Sequence, residues 1–254
     1  MGCFICCRFP PLLYYLDVMT TKKPLPIRLI AIAFTALFFF TACGDGSAKK
    51  SSYTPDQQDE IRQEALNLVN AEANPYEVLD GYKKLIEFDE VDSDARQVAL
   101  KYLLKVNLQM VEDNKGEEAL ALAKELDKLI PNDFYIQNRI LGAYRVMAEK
   151  AIEEKDYDKA YDLLYNTALK IRFDIEVMRT YLHLLTVKGE EAISAKDYSN
   201  AKAHLDEVVW IVAIDNNSDY FGEEKANAER LLKTLPPGTE SPPPPPAEEA
   251  APQE

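Results

Sequence analysis

Beyond residue 43 the chain contains no cysteine, since all four (Cys3, Cys6, Cys7 and Cys43) lie at or before that point. The remainder therefore has no thiol for a disulfide, a metal cage or a nucleophile, and its fold must be held by packing. Histidine is nearly absent too. His183 and His204 are the only two, and without a cysteine partner a zinc site would need carboxylates to complete it. Glycine is scarce, nine in 254 residues, and no Gly-rich phosphate loop, GxSxG elbow or HExxH pattern occurs. The adjacent acids Glu153–Glu154 and Glu190–Glu191 point in different directions from a helix and read as solvated. These absences argue against an enzyme, and no cofactor or metal is expected.

Positive charge is in deficit as well. The chain carries 29 bases and 43 acids, a net charge of −14. Residues 1–43 hold four of the bases (Arg8, Lys22, Lys23, Arg28) and one acid (Asp17), so the rest stands at −17. Such a surface repels phosphate backbones and anionic headgroups, which excludes nucleic acid as an expected partner. Its acidity serves solubility.

What the chain does have begins at Met19 with "MTTKKPLPIRLIAIAFTALFFFTAC". Lys22, Lys23 and Arg28 make a basic start, and twelve uncharged, mostly apolar residues follow, from Leu29 to Phe40. As a helix that run spans about 18 Å, against a hydrocarbon core of roughly 30 Å. It has the length of a signal-peptide core rather than of a membrane span. The run ends Phe40-Thr41-Ala42-Cys43, a large apolar residue, two small ones and a cysteine. This resembles the lipobox of bacterial lipoproteins, with Phe40 where leucine is usual. The resemblance implies that Cys43 is acylated and becomes the new N-terminus, and lipid chains contribute about 0.8 kcal/mol per buried methylene to anchoring. Gly44 in the next position implies the periplasmic face of the outer membrane, with the inner membrane as the lesser expectation. Residues 1–18 read as an extension upstream of the expected start at Met19, 19–43 as the signal peptide and 44–54 as a flexible polar tether.

The middle is rich in Ala, Leu, Lys and Glu, which favours helix. Within it "EKAIEEKDYDKAYDLL" (149–164) and "EEAISAKDYSNAKAHL" (190–205) share eight of sixteen positions at an offset of 41. The same step leads back from Ala201 and Ala160 to Ala119 and then Val78. Four units at one spacing mark a stacked array. Thr54-Pro55-Asp56-Gln57 and Asn74-Pro75-Tyr76-Glu77 are helix starts, and helices are expected near 55–72, 75–88, 93–113, 116–129, 133–154, 157–172, 175–195, 198–214 and 220–234. Asp156 and Asp197 read as N-caps, and Tyr157 and Tyr198 as fillers between helices. Trp210, in the apolar "LDEVVWIVAI", is expected in the core or against the last helix.

The units resemble tetratricopeptide repeats. Ala119, Ala160 and Ala201 match the family's small residue on the second helix, Leu164 and Leu205 its large apolar residue four later, and Pro131 its closing proline. The family period is 34, Val78 replaces the small residue in the first unit, and Arg172 stands where a proline belongs. Seven extra residues are close to two helical turns and can lengthen the first helix of each pair.

The resemblance implies an all-α domain over 55–235, a right-handed superhelical array of four antiparallel pairs plus a C-terminal capping helix. It also implies a concave groove lined by first helices, with Lys101, Leu104, Arg145, Glu149, Ile152, His183, Thr186 and Glu190 as partner-binding residues. The expected role is a lipid-anchored scaffold for an envelope protein or peptide, in pilus, peptidoglycan or outer-membrane assembly. The alternative is a lipoprotein that binds a small molecule for a solute transporter. Residues 236–254, "PPGTESPPPPPAEEAAPQE", cannot continue a helix and are expected as polyproline II running into disordered acid.

Overall fold

In the computed structural model, which describes residues 52–90, 93–214 and 218–242, Thr54 starts the first helix. Its hydroxyl accepts the Gln57 N–H, and the Gln57 side chain accepts the Thr54 N–H in return. This reciprocal box satisfies two donors that the first turn leaves unpaired. Single caps start others: Asn74 for α2, Ser93 for α3, Asp133 for α5, Asp156 for α6 and Asp174 for α7. Asp197 does the same for α8, accepting the Asn200 N–H at 3.3 Å.

The described residues form nine helices and no strand. They are α1 Pro55–Asn70, α2 Pro75–Ile86, α3 Asp94–Glu112, α4 Gly116–Leu129 and α5 Phe134–Glu153. Then α6 runs through Tyr157–Tyr161, a π-helical stretch Asp162–Ala168 and Leu169–Ile171, followed by α7 Ile175–Ser194, α8 Tyr198–Ile214 and α9 Ser218–Leu232. All fall in one unit, Lys49–Glu254. Several odd helices stop one or two residues short of the expected ends because a left-handed residue takes over. After α5, Lys155 has φ 62°, its N–H bonds the Ile152 carbonyl, and the Asp156 N–H reaches back to Ala151 at 2.8 Å. The same pair of bonds closes α1 at Glu72 and Ala73, α3 at Asn114 and Lys115, and α7 at Lys196 and Asp197. This turn returns orphan carbonyls of the last turn to the hydrogen-bond ledger and reverses the chain sharply.

Even helices start at Pro75, Gly116, Tyr157 and Tyr198, 41 residues apart. The fourth residue of each (Val78, Ala119, Ala160, Ala201) is wholly buried and donates its N–H to the carbonyl of the residue before the helix. Close approach continues at Gly189 on α7, where a Cβ would lie 2.9 Å from two carbons of Leu205 on α8. One repeat earlier Ala148 and Leu164 occupy these places, both wholly buried. Small residue against leucine is thus the joint in the last two pairs; the equivalent places hold Asn107 with Ala123 and Leu66 with Tyr82 in the first two.

Helix contacts follow the chain. Each helix packs on its sequence neighbours, and the odd helices α1, α3, α5, α7 and α9 also pack successively on one another. Two opposite ends result. The tight turns 71–74, 113–115, 154–156 and 195–197 share one, called the turn end here. The connections after α2, α4, α6 and α8 share the other, the loop end.

Candidate functional site

On the odd-helix face, Arg145 and Glu149 of α5 form an ion pair at 2.5 Å, and Thr180 of α7 donates to the same Glu149 oxygen at 3.3 Å. The structure therefore joins two of the groove residues expected from sequence and adds Thr180. Lys101 of α3 and His183 and Glu190 of α7 are exposed, and Leu104 is half-buried against the core. Ile152 and Thr186 are 7% and 6% exposed. Thr186 spends its hydroxyl on the Leu182 carbonyl one turn back, so these two face packing. Cys43, with the signal peptide and most of the tether, lies outside the described residues, as do residues 243–254.

A second constellation sits on α6 and α7. Tyr161 and Tyr165 stack with centroids 5.1 Å apart, Tyr165 stacks on Tyr181 at 5.5 Å, and Tyr161 meets Tyr181 at 5.9 Å. The π-helical stretch of α6 begins just after Tyr161 and carries Tyr165. Such local widenings often accompany functional sites. Tyr181 is buried and donates its hydroxyl to Glu207 of α8 at 2.8 Å. Burial, then the Glu207 carboxylate, push its phenol above the ordinary range, so it serves as a fixed donor. Tyr165 is half-exposed and forms the open end of the stack. The sequence offered only a Tyr pair four apart, and nothing marked the π-helix that orients it.

Trp210 corrects an expectation. It is 63% exposed, with Ile214 at 54%, while Val208 and Val212 of the same apolar helix are wholly buried. The helix buries one face on α7 and α9 and leaves Trp210 and Ile214 uncovered on the other side.

A cleft of about 280 Å³ opens at the turn end, lined in part by Gly116, Met147, Lys150, Glu154 and Lys159. Its counterpart 41 residues on, of about 460 Å³, is lined by Tyr157, Lys188, Glu191, Ala195 and Asn200. The cleft is a product of the repeat. Its charges differ between copies: in the second, Lys155 sits 2.6 Å from Glu191 and, with Tyr157, holds that carboxyl below the ordinary range. His204 lines the same cleft, where burial, then Lys188, push its imidazole down.

At the loop end arginines act as individual clamps. Arg62 places Nε and Nη2 at 3.0 and 2.9 Å from one oxygen of Asp89, whose other oxygen accepts from Ser93. Arg96 donates to the Asp89 carbonyl, Arg172 to Asn138 beneath the Phe134 ring, and Arg179 to Glu224 and the Tyr220 carbonyl.

Chemically these surfaces offer charge pairs, stacked rings and shallow clefts. Among the described residues no group of three or more His, Cys, Asp and Glu is arranged to hold a metal, and no helix is long and apolar enough to cross a membrane. No protein-family model, curated protein or solved structure matches the chain.

Proposed function

We propose that this protein is a lipid-anchored periplasmic scaffold, a right-handed tetratricopeptide-like stack of four helix pairs and a capping helix that grips an envelope protein or peptide. The observation that carries the reading is the contact ladder. Odd helices pack successively on one another while even helices begin at strict 41-residue steps, the arrangement of a solenoid whose inner layer forms a binding surface. On that layer Lys101, His183 and Glu190 are exposed beside the Arg145–Glu149 pair, a mixed-charge face suited to a polypeptide with both donors and acceptors.

The tether supports the same reading. Tyr53 meets Phe88 of the α2–α3 connection with ring centroids 5.6 Å apart, so the chain joins the stack at the loop end. Residues 44–54, read from the sequence as a polar tether, would reach about 17 Å if unstructured and keep the domain near a bilayer that holds Cys43 without fixing its orientation.

Two measurements test the proposal. Metabolic palmitate should label the full chain and fail to label Cys43→Ser; an unlabelled wild-type chain would remove the anchor. Photo-crosslinkers at positions 101, 183 and 190 should capture a defined envelope protein in the native membrane. Capture from the opposite face alone, by a crosslinker at 121 on α4, would overturn the assigned surface.

A further inference from the structure

The tail does not leave the helices at residue 235. After α9 the chain turns at Gly238, with φ 83°, and returns to α8. There Ser199 donates its hydroxyl to the Glu240 carbonyl at 2.9 Å, and Ser241 donates to Asp206 Oδ2 at 3.2 Å. Residues 240 and 241 thus run from the first turn of α8 toward its C-terminal end. Ser199, Asp206 and Trp210 lie within about 40° of one another around the helix. This stripe is opposite the buried one formed by Ala201, Leu205, Val208 and Val212. The next large side chains ahead of the tail on the exposed face are Trp210 and Ile214, 63% and 54% exposed.

The distances match. From Asp206 to Trp210 is about 6 Å along an α-helix, and to Ile214 about 12 Å. Polyproline II advances about 3.1 Å per residue, so two residues beyond Ser241 come level with Trp210 and four with Ile214. Those residues are the prolines of "SPPPPP", 241–246. A proline run is already extended and loses little conformational freedom on docking, which is why exposed aromatics serve as polyproline sites.

We propose that Pro243–Pro246 dock in cis on the outward face of α8, stacked on Trp210 and reaching Ile214. The exposed aromatic is then a polyproline site whose resident ligand is the chain's own tail, and a proline-rich partner would have to displace it.

Trp210 is the only tryptophan in the chain, so fluorescence excited at 295 nm reports this site alone. The test compares the full chain with a full-length variant carrying Pro243→Gly, Pro244→Gly, Pro245→Gly and Pro246→Gly. The variant should show an acrylamide quenching constant raised about twofold and a red-shifted emission, as a ring uncovered to water does. Adding the synthetic peptide SPPPPPAEEA to the variant should restore protection, whereas wild-type protection should be independent of protein concentration. Equal quenching in the two proteins overturns the proposal. Protection that rises with wild-type concentration overturns it too, because the occupant is then a second copy. The substitutions lie beyond the end of α9 in the sequence, and an unchanged melting curve will show that the fold is not what moved.

Discussion

The two ends of the helix pairs are built on different rules. At the turn end one solution is used four times: a left-handed residue, two back-bonds, a start to the next helix and a wholly buried fourth residue. At the loop end the aspartate caps Asp133 and Asp174 repeat at the 41-residue step, but the contacts around them do not. The arginine clamps are shared unevenly, Arg62 and Arg96 both on Asp89 and Arg172 alone tying the α6–α7 connection to the start of α5. Among the described residues six of eleven exposed large hydrophobics (Phe134, Tyr135, Ile171, Phe173, Ile214 and Tyr220) cluster at the helix ends and connections there, against Tyr76 alone beside a tight turn. The difference separates the stacking of the array, which uses the same backbone turn at each step, from surfaces free to vary. On this comparison substitutions at turn-end joints should cost stability, and those in the loop-end aromatics should leave stability alone.

The largest effect is expected at the joint itself. Leu205 is wholly buried and fills the space against Gly189. Leu205→Ala should lower unfolding free energy by about 2–5 kcal/mol in urea denaturation, the transfer term plus the cavity. Leu164→Ala, one repeat earlier, should match it within that range. A loss confined to one of the two would break the equivalence of the units.

Next comes a loop-end residue that sharpens the comparison by exception. The Asp89 side chain is only 6% exposed, so this clamp is structural. Burial pushes its carboxyl up, but Arg62 and Ser93 outweigh that and hold it below the ordinary range. A folded-state value below the unfolded one gives stability that is present above the ordinary carboxylate value and lost as pH falls through the lowered one. Asp89→Asn should cost about 1–3 kcal/mol near neutrality. It should also flatten the loss of stability below about pH 4, read from melting temperature against pH. An unchanged acid limb would show that Asp89 does not drive it.

These contrasts also explain what the sequence could disclose. The helix count, the starts at 75, 116, 157 and 198, and the equivalence of Ala119, Ala160 and Ala201 were legible because three of the four joints carry the same small residue and the last two share the Lys-Asp-Tyr start. Arg145 and Glu149 were both named as groove residues from the resemblance; that they pair, and that Thr180 bonds Glu149 from α7, was not legible. Trp210 was misplaced because an apolar run alone does not say which side of a helix is left without a neighbour. The stack of Tyr161, Tyr165 and Tyr181 depends on a π-helical stretch that no local pattern announced, and the arginine clamps join residues far apart in sequence without periodicity.

A smaller effect probes the cost of the repeated turn. Lys196 takes φ 62° to close α7, a region that costs a side chain about 1 kcal/mol and glycine almost nothing. Lys196→Gly should raise stability by about 0.5–1 kcal/mol, since relief of strain exceeds the added freedom of the unfolded chain. A loss would mean that the Lys196 side chain makes a contribution beyond its backbone conformation.

The smallest effect is the most informative about the loop end. Tyr135 and Phe173 are 63% and 52% exposed and stand where α5 begins and α6 gives way to α7. Tyr135 touches Phe134 edge-on at 5.7 Å, and the Arg172 clamp rests on Phe134 rather than on either of these rings. Removing an exposed ring away from any clamp falls within about 0.5 kcal/mol, so Tyr135→Ser and Phe173→Ser should each melt as the wild type does. Exposed apolar groups that the fold does not need are available for contact with something else. The same substitutions should therefore lower recovery of the chain on vesicles or on its captured partner while leaving its melting unchanged. A drop in stability comparable to Leu205→Ala would place these rings within the architecture and erase the division between the two ends.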